Sequence, residues 1–170
     1  MSDPGQELVD VIDEAGRTVA TVTRAEMRAR RLPHRSVYVL VFNSQDELFV
    51  HLRTPTKDVF PSHWDVAVGG VPAAGESFDS AARREAREEL GVDLELTPLF
   101  PFRYSDAASV IQAMVYAARH DGPFVLQKEE IVRGDFVPVG EVNNIAAHAR
   151  FCPDGLAVLT EYQRRRMSLS

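Results

Sequence analysis

The stretch from Ser77 to Gly91 constrains this chain most, because its residue order specifies a helix with an unusual face. Ser77 is a side-chain N-cap, Asp79 places a carboxylate at the positive end of the helix dipole, and Gly91 supplies a left-handed stop. At 3.6 residues per turn, Glu85, Glu88 and Glu89 fall within an arc of roughly 100°. Phe78, Ala81 and Ala82 share that arc, so the acids continue a stripe expected to face the protein body.

Like charges at i, i+3 and i+4 repel by about 0.2 to 0.5 kcal/mol per pair when exposed, and by more when partly buried. A hard dication reverses the sign, since carboxylate oxygens are the ligands that Mg²⁺, Mn²⁺ or Ca²⁺ prefer. The other reading is a solvated helix laced with ion pairs, for Arg84 and Glu88 have the i, i+4 spacing that supports one. Glu-x-x-Glu-Glu alone leaves both open.

Around this helix the pattern alternates between strands and a few helices. Leu8 to Asp13 and Thr18 to Val22 predict a hairpin, after which Thr23 caps a short basic helix, Arg24 to Arg31, ended by Leu32-Pro33. Ser36 to Phe42 and Glu47 to Leu52 predict central strands joined by the turn residues Asn43 to Asp46. A loop from Thr54 to Ser62 leads to a strand over His63 to Val68. Further strands are expected near Leu94 to Tyr104, Val110 to Ala118 and Ile131 to Pro138. A last amphipathic helix opens at Pro153 and ends on the basic run Arg164 to Arg166. Few, widely spaced helices among many strands predict a mixed sheet covered on two faces, an α/β architecture.

The 170 residues suffice for one domain, 1–170, and are too few for two of ordinary size. A net charge of −6 argues against a nucleic-acid binder that works by bulk phosphate neutralisation, while leaving room for a small anionic ligand. Cys152 is the only cysteine, which excludes an intrachain disulfide and suits a reducing compartment. It reads as a small buried residue, with no activating base beside it in sequence. Met1 to Gln6 is polar, and no apolar run approaches the roughly 20 residues needed to span a bilayer. The expectation is a cytoplasmic protein without membrane contact, and a homodimer is the default for a small enzyme.

Gly70-Val-Pro-Ala-Ala-Gly75-Glu76, seven further residues, then Arg84-Glu85-Ala86-Arg87-Glu88-Glu89-Leu90-Gly91-Val92 resembles the Nudix box at every specified position. Chance agreement in a chain of this length is on the order of one in a million. The resemblance implies the Nudix fold, an α/β/α sandwich with a mixed β-sheet. It also implies that Glu85, Glu88 and Glu89 bind Mg²⁺ or Mn²⁺ with the Gly70 carbonyl, that Arg84 orients the glutamates, and that Glu76 fixes the loop. The implied reaction is attack of water on a phosphorus of a nucleoside di- or triphosphate or another nucleoside-diphosphate-linked compound. Glu88 or Glu89 is the expected base, with Glu129 and Glu130 as candidates from a later loop or, equally, as members of an exposed acidic turn. A non-catalytic nucleotide-binding module on the same fold is the alternative.

The chain also resembles the isopentenyl-diphosphate isomerase branch, through Val9-Asp10, Gly16, His34-Arg35, Phe42-Asn43, Trp64-Asp65, Gly70 with Pro72, Phe102-Arg103-Tyr104 and Ala117-Ala118-Arg119. That enzyme's catalytic cysteine falls at Gly69. Of its three histidine ligands only His34 remains, the others falling on Met27 and Val71, and its later acidic pair falls on Ser109 and Ile111. The isomerase's metal cage is therefore missing, while the box glutamates are complete. Outside the box, Arg53 and Lys57 are candidate phosphate clamps or solvated cations. Trp64 is a candidate base-stacking residue or core. Arg24, Arg28, Arg30 and Arg31 read as a solvated face.

Overall fold

The computed structural model describes residues 3–169, so Met1 and Ser2 of the polar leading segment lie outside the described residues. A hairpin of β1 (Leu8–Ile12) and β2 (Thr18–Thr23) leads into α1 (Arg24–Ala29), where the Thr23 hydroxyl accepts from the Glu26 amide at 3.2 Å. Next come β3 (His34–Phe42), β4 (Glu47–Arg53) and two short strands, β5 (Trp64–Asp65) and β6 (Val68–Gly70). The glutamate helix is α2 (Phe78–Leu90). After it follow β7 (Thr97–Ser105), β8 (Val110–Arg119), β9 (Ile131–Pro138), a short α3 (Val142–Ala146) and α4 (Pro153–Met167).

Strand β3 organises the sheet. It pairs in parallel with β8 along its whole length, from His34 opposite Ile111 to Phe42 opposite Arg119. Its other edge is shared in turn by Val11 of β1, by β6 at Val37 to Val39, and by β4 at Phe42. Antiparallel β7 extends the sheet beyond β8, and β9 pairs with β4, which makes the sheet mixed. Both faces of β3 are also covered. Val37, Val39 and Val41 pack with Ala81, Ala82, Ala86 and Leu90 of α2, whereas Tyr38, Leu40 and Phe42 pack with Val158 and Leu159 of α4. A strand buried on both faces has no polar alternation, which is why β3 reads as an almost unbroken apolar run. The result is the expected α/β/α sandwich, with α2 and α4 on opposite faces.

Several local expectations give way to tertiary contacts. The strand expected over His63 to Val68 is split, because Asp65 and Trp64 pair with His51 and Leu52 of β4 while Val68 to Gly70 cross to β3. Trp64 is held on its other side by Arg150 and Cys152, through backbone bonds of 2.8 Å each. The strand expected from Leu94 begins at Thr97, since Leu94 and Leu96 pack against the α2 side of the core instead. Helix α1 stops at Ala29, and Arg31 takes a left-handed φ of 50°. The turns from Val139 to Ala146 were not legible in sequence: they carry no side-chain cap and bury only Val142.

His34 and His51 are both 2% exposed. Burial pulls the His34 imidazole down to about 4 and that of His51 to about 3, with neighbouring cations, Arg28 for the first and Arg53 for the second, acting in the same direction. A lowered folded-state pKa means that the unfolded chain binds the extra proton. The stabilisation is complete above the unfolded value of 6.5 and is lost as pH falls toward the folded value. Comparing wild type with His51→Gln, which cannot titrate, isolates this effect. By urea denaturation the wild type should lose about 2 kcal/mol relative to the variant between pH 7.5 and 5. A difference that does not change with pH would show that His51 is not a buried neutral imidazole.

Candidate active site

The geometry begins with the ends of α2. The Ser77 hydroxyl accepts from the Ser80 amide at 3.1 Å, and Gly91 closes the helix with φ of 68°. Small residues on the sheet side let the helix lie close to β3 and β6. Gly70, at the end of β6, faces the Glu85 carboxylate so closely that a Cβ there would stand 2.6 Å from Glu85 Oε1. Any larger residue would have to push the Glu85 carboxylate aside.

Arg84 ties helix and loop together. Its Nε and Nη2 donate to the two carboxylate oxygens of Glu76, each at 2.9 Å, a bidentate fork. Its Nη1 donates to Glu85 at 2.9 Å and Glu88 at 3.3 Å. Glu76 also accepts from the Ala73 amide at 2.9 Å, which closes the loop on itself. The guanidinium thus offsets part of the repulsion among the acids.

The three glutamates divide in depth. Glu88 is half exposed, whereas Glu89 is 6% exposed. Burial raises the Glu85 carboxyl and Glu88 adds to this, opposed by Arg84 and Arg24. Burial pushes Glu89 well above the ordinary carboxylate range, and Glu85 one turn earlier pushes it further, against the pull of Lys57 and Arg53. Among the described residues no three acidic, His or Cys side chains stand close enough to hold an ion as they are, and Glu85 and Glu88 are both paired with Arg84. The chemistry of the donors nevertheless fits a hard dication. Two desolvated carboxylates, a third half-exposed one and the Gly70 carbonyl supply oxygen only.

Glu89 and Gly70 line a pocket whose remaining wall comes from elements distant in sequence. Arg53 and Lys57, the candidate clamps, both line it. Lys57 bonds Glu130, while Arg53 donates to the Val59 carbonyl at 2.9 Å and lies 3.7 Å from Asp65. Glu129 is exposed, and it is its carbonyl, not its carboxylate, that accepts from the Thr54 hydroxyl. Trp64 is not part of the pocket lining. It packs against the α4-side core with Arg133 over its ring at 5.2 Å, the place that the core alternative describes.

The sequence reading missed two groups in this pocket. Arg24 and Arg28, read as a solvated face, have side chains only 17% and 21% exposed and both line the pocket. Only Arg30 and Arg31 keep to the outside, bonded to Glu26 and to the 105–106 turn. The i, i+4 spacing of Arg24 and Arg28 beside the buried Met27 was the available signal. The second group is Tyr38, Asp65, Cys152 and Asp154. The Tyr38 hydroxyl donates to Asp154 Oδ2 at 2.7 Å, leaving Asp154 Oδ1 and Arg53 Nε buried without a hydrogen-bond partner among the described residues. Burial, with Asp154 beside it, raises the Asp65 carboxyl, and burial and Asp65 raise the Cys152 thiol. A thiol held protonated is no nucleophile.

The isomerase positions are filled by other chemistry. Met27 and Val71 pack with Val9 in an apolar cluster. His34 is buried, its Nδ1 bonded to the Leu32 carbonyl at 2.8 Å. At Gly69, φ is 151° and a Cβ would stand 2.0 Å from the Val37 carbonyl oxygen, so no cysteine fits this backbone.

Comparison with known proteins agrees with this geometry. The NUDIX domain family model matches residues 32–155. An uncharacterized Nudix hydrolase of Streptomyces coelicolor is 42% identical over 154 residues, covering 89% of this chain and 85% of the relative. A crystal structure of a Deinococcus radiodurans protein superposes with a TM-score of 0.81 at 30% identity, covering 91% of this chain and 98% of that one. The Nudix domain of Shewanella oneidensis NrtR, crystallised with ADP-ribose, shares the fold at a TM-score of 0.64 and 18% identity, over 85% and 99% of the two chains. A glutamate helix locked to its glycine loop by Arg84, matched by a family model over most of the sequence and by relatives along nearly their whole length, has one consistent explanation: this chain belongs to the Nudix family.

Proposed function

We propose that the chain hydrolyses a phosphoanhydride bond of a nucleoside di- or triphosphate or a related nucleoside-diphosphate-linked compound, with Mg²⁺ or Mn²⁺ bound at Glu85, Glu88, Glu89 and the Gly70 carbonyl. The observation that carries this reading is Glu89: an acid buried on a pocket wall beside Gly70, facing Lys57 and Arg53. A bound dication would neutralise phosphate oxygens and lower the pKa of water. Arg84 orients Glu85 and Glu88, and Glu76 holds Arg84 by its bidentate pair. Glu88, half exposed, or Glu89 takes the proton from water, and Glu130 is held off by its pairing with Lys57. Arg53 and Lys57 bring positive charge to the pocket for the substrate's phosphates. ADP-ribose, the ligand of the NrtR domain, belongs in the substrate panel beside nucleoside di- and triphosphates.

The test is product release across that panel with Mg²⁺ or Mn²⁺. Turnover on at least one compound should fall to background with excess chelator and return when the ion is restored. Turnover indifferent to chelation would remove the ion from the reaction. Tight nucleotide binding with no turnover on any diphosphate would make the chain a binding module.

A further inference from the structure

Four cations line the pocket, and the anions that answer them are unevenly distributed. Arg53 has Asp65 at 3.7 Å, and Lys57 has Glu130. Arg24 and Arg28 share one carboxylate, Asp58, at 3.4 and 3.3 Å. Among the described residues the only other acid paired with either is Glu7, half exposed and 3.7 Å from Arg24. Burial alone would raise the Asp58 carboxyl, but Arg24, Arg28 and Lys57 together hold it below the ordinary value. Arg28 is also positioned from behind: with its Nδ1 bonded to the Leu32 carbonyl, His34 presents Nε2 to Arg28 Nη1 at 3.4 Å. Arg24 and Arg28 line the same pocket as Gly70 and Glu89, so the pair borders the glutamate site.

Asp58 belongs to the loop between β4 and β5, a segment with left-handed residues at Phe60 (φ 50°) and Ser62 (φ 57°). Its side chain is 42% exposed although two guanidiniums converge on it. An unesterified phosphate carries up to two negative charges and three acceptor oxygens, against one charge and two oxygens for the carboxylate. It would therefore displace Asp58 from the arginine pair.

We propose that Arg24 and Arg28 form an anion site for the free terminal phosphate of the substrate, with Asp58 occupying it as a carboxylate stand-in when no ligand is bound. This rests on the hydrolase reading and narrows it, favouring nucleotides that end in an unesterified phosphate over compounds whose distal phosphate is capped.

The experiment is calorimetric titration with inorganic pyrophosphate and, as the capped counter-probe, ADP-ribose, both in chelator. It compares wild type, Arg24→Gln, Arg28→Gln and Asp58→Asn in the full chain. Each arginine variant should bind pyrophosphate about tenfold more weakly, and Asp58→Asn should bind it several-fold more tightly. Changes for ADP-ribose should stay within about threefold. Opposite signs at Asp58 and the arginines are what a merely structural clasp would not give. If an arginine variant fails to fold, as read by circular dichroism, the Asp58→Asn arm decides alone. Unchanged or weaker pyrophosphate binding by Asp58→Asn overturns the site, as do equal losses for both probes. Because the titration needs neither ion nor turnover, the two proposals fail separately. The expected pattern without hydrolysis of any substrate keeps the anion site and rejects the enzyme, and hydrolysis with flat pyrophosphate affinities does the reverse.

Discussion

Glu89→Gln should cut turnover on the best substrate by about a thousandfold while leaving the ion-free protein at least as stable as wild type. The two effects come from the same burial. Glu89 is 6% exposed, and its ionised form is disfavoured first by desolvation and then by Glu85. Glutamine keeps the shape and removes the charge, so the fold loses a buried like-charge interaction and no packing. Under the proposed mechanism, what the variant would lose is a fully charged oxygen ligand for the ion on the pocket wall that Glu89 and Gly70 share. Thermal unfolding with and without Mn²⁺ checks both halves. Wild type should gain stability on adding the ion, in proportion to its binding, and Glu89→Gln should gain little. Wild-type turnover in this variant would mean that the chemistry does not reside on α2.

Gly69→Ala should be among the most damaging small substitutions in the chain, at about 3 to 5 kcal/mol. The new methyl would meet the Val37 carbonyl oxygen at 2.0 Å and its carbon at 2.9 Å, both backbone atoms that no rotamer change can move aside. Gly69 pairs with Tyr38 in the β3–β6 ladder, so relief requires β6 to move off β3. That movement would carry away Gly70, whose carbonyl accepts from the Ser36 hydroxyl at 3.2 Å and whose Cα hydrogen side lies against the Glu85 carboxylate. Gly75→Ala is the control. Its φ of 76° is also left-handed, but nothing lies within 4 Å of the added atom, so the cost is backbone strain alone, about 1 kcal/mol. Denaturant unfolding of the two variants separates contact from strain, and equal, small losses would contradict the close β3–β6 approach. The same contact explains why restoring the isomerase's thiol at Gly69 should not create an isomerase.

The parts of the molecule legible in sequence are those fixed by near neighbours. Ser77, Asp79 and Gly91 act within one turn of the helix ends they define, and Arg84, Glu85 and Glu88 interact within four residues. The apolar run from Ser36 to Phe42 marked a central strand, and β3 is buried on both faces. Where competing partners decide, local pattern fails. His63 to Val68 alternates like one strand, yet β4 takes one half and β3 the other. Trp64 was read with two possible destinations, and its place against the core follows from the 150–152 backbone that pairs with it.

The sequence alone determined the family and the helix that carries the acids, because those properties follow from residue types at short, fixed spacing. Tertiary structure alone decided that Glu89 is buried while Glu88 reaches solvent, and that Arg24 and Arg28 face the pocket. It also brought Tyr38 to Asp154 across 116 positions and Lys57 to Glu130 across 73. The reason is physical: a helix or strand sets which side chains share a face, but only packing between elements sets what that face meets. Charge, burial and pocket shape depend on the meeting.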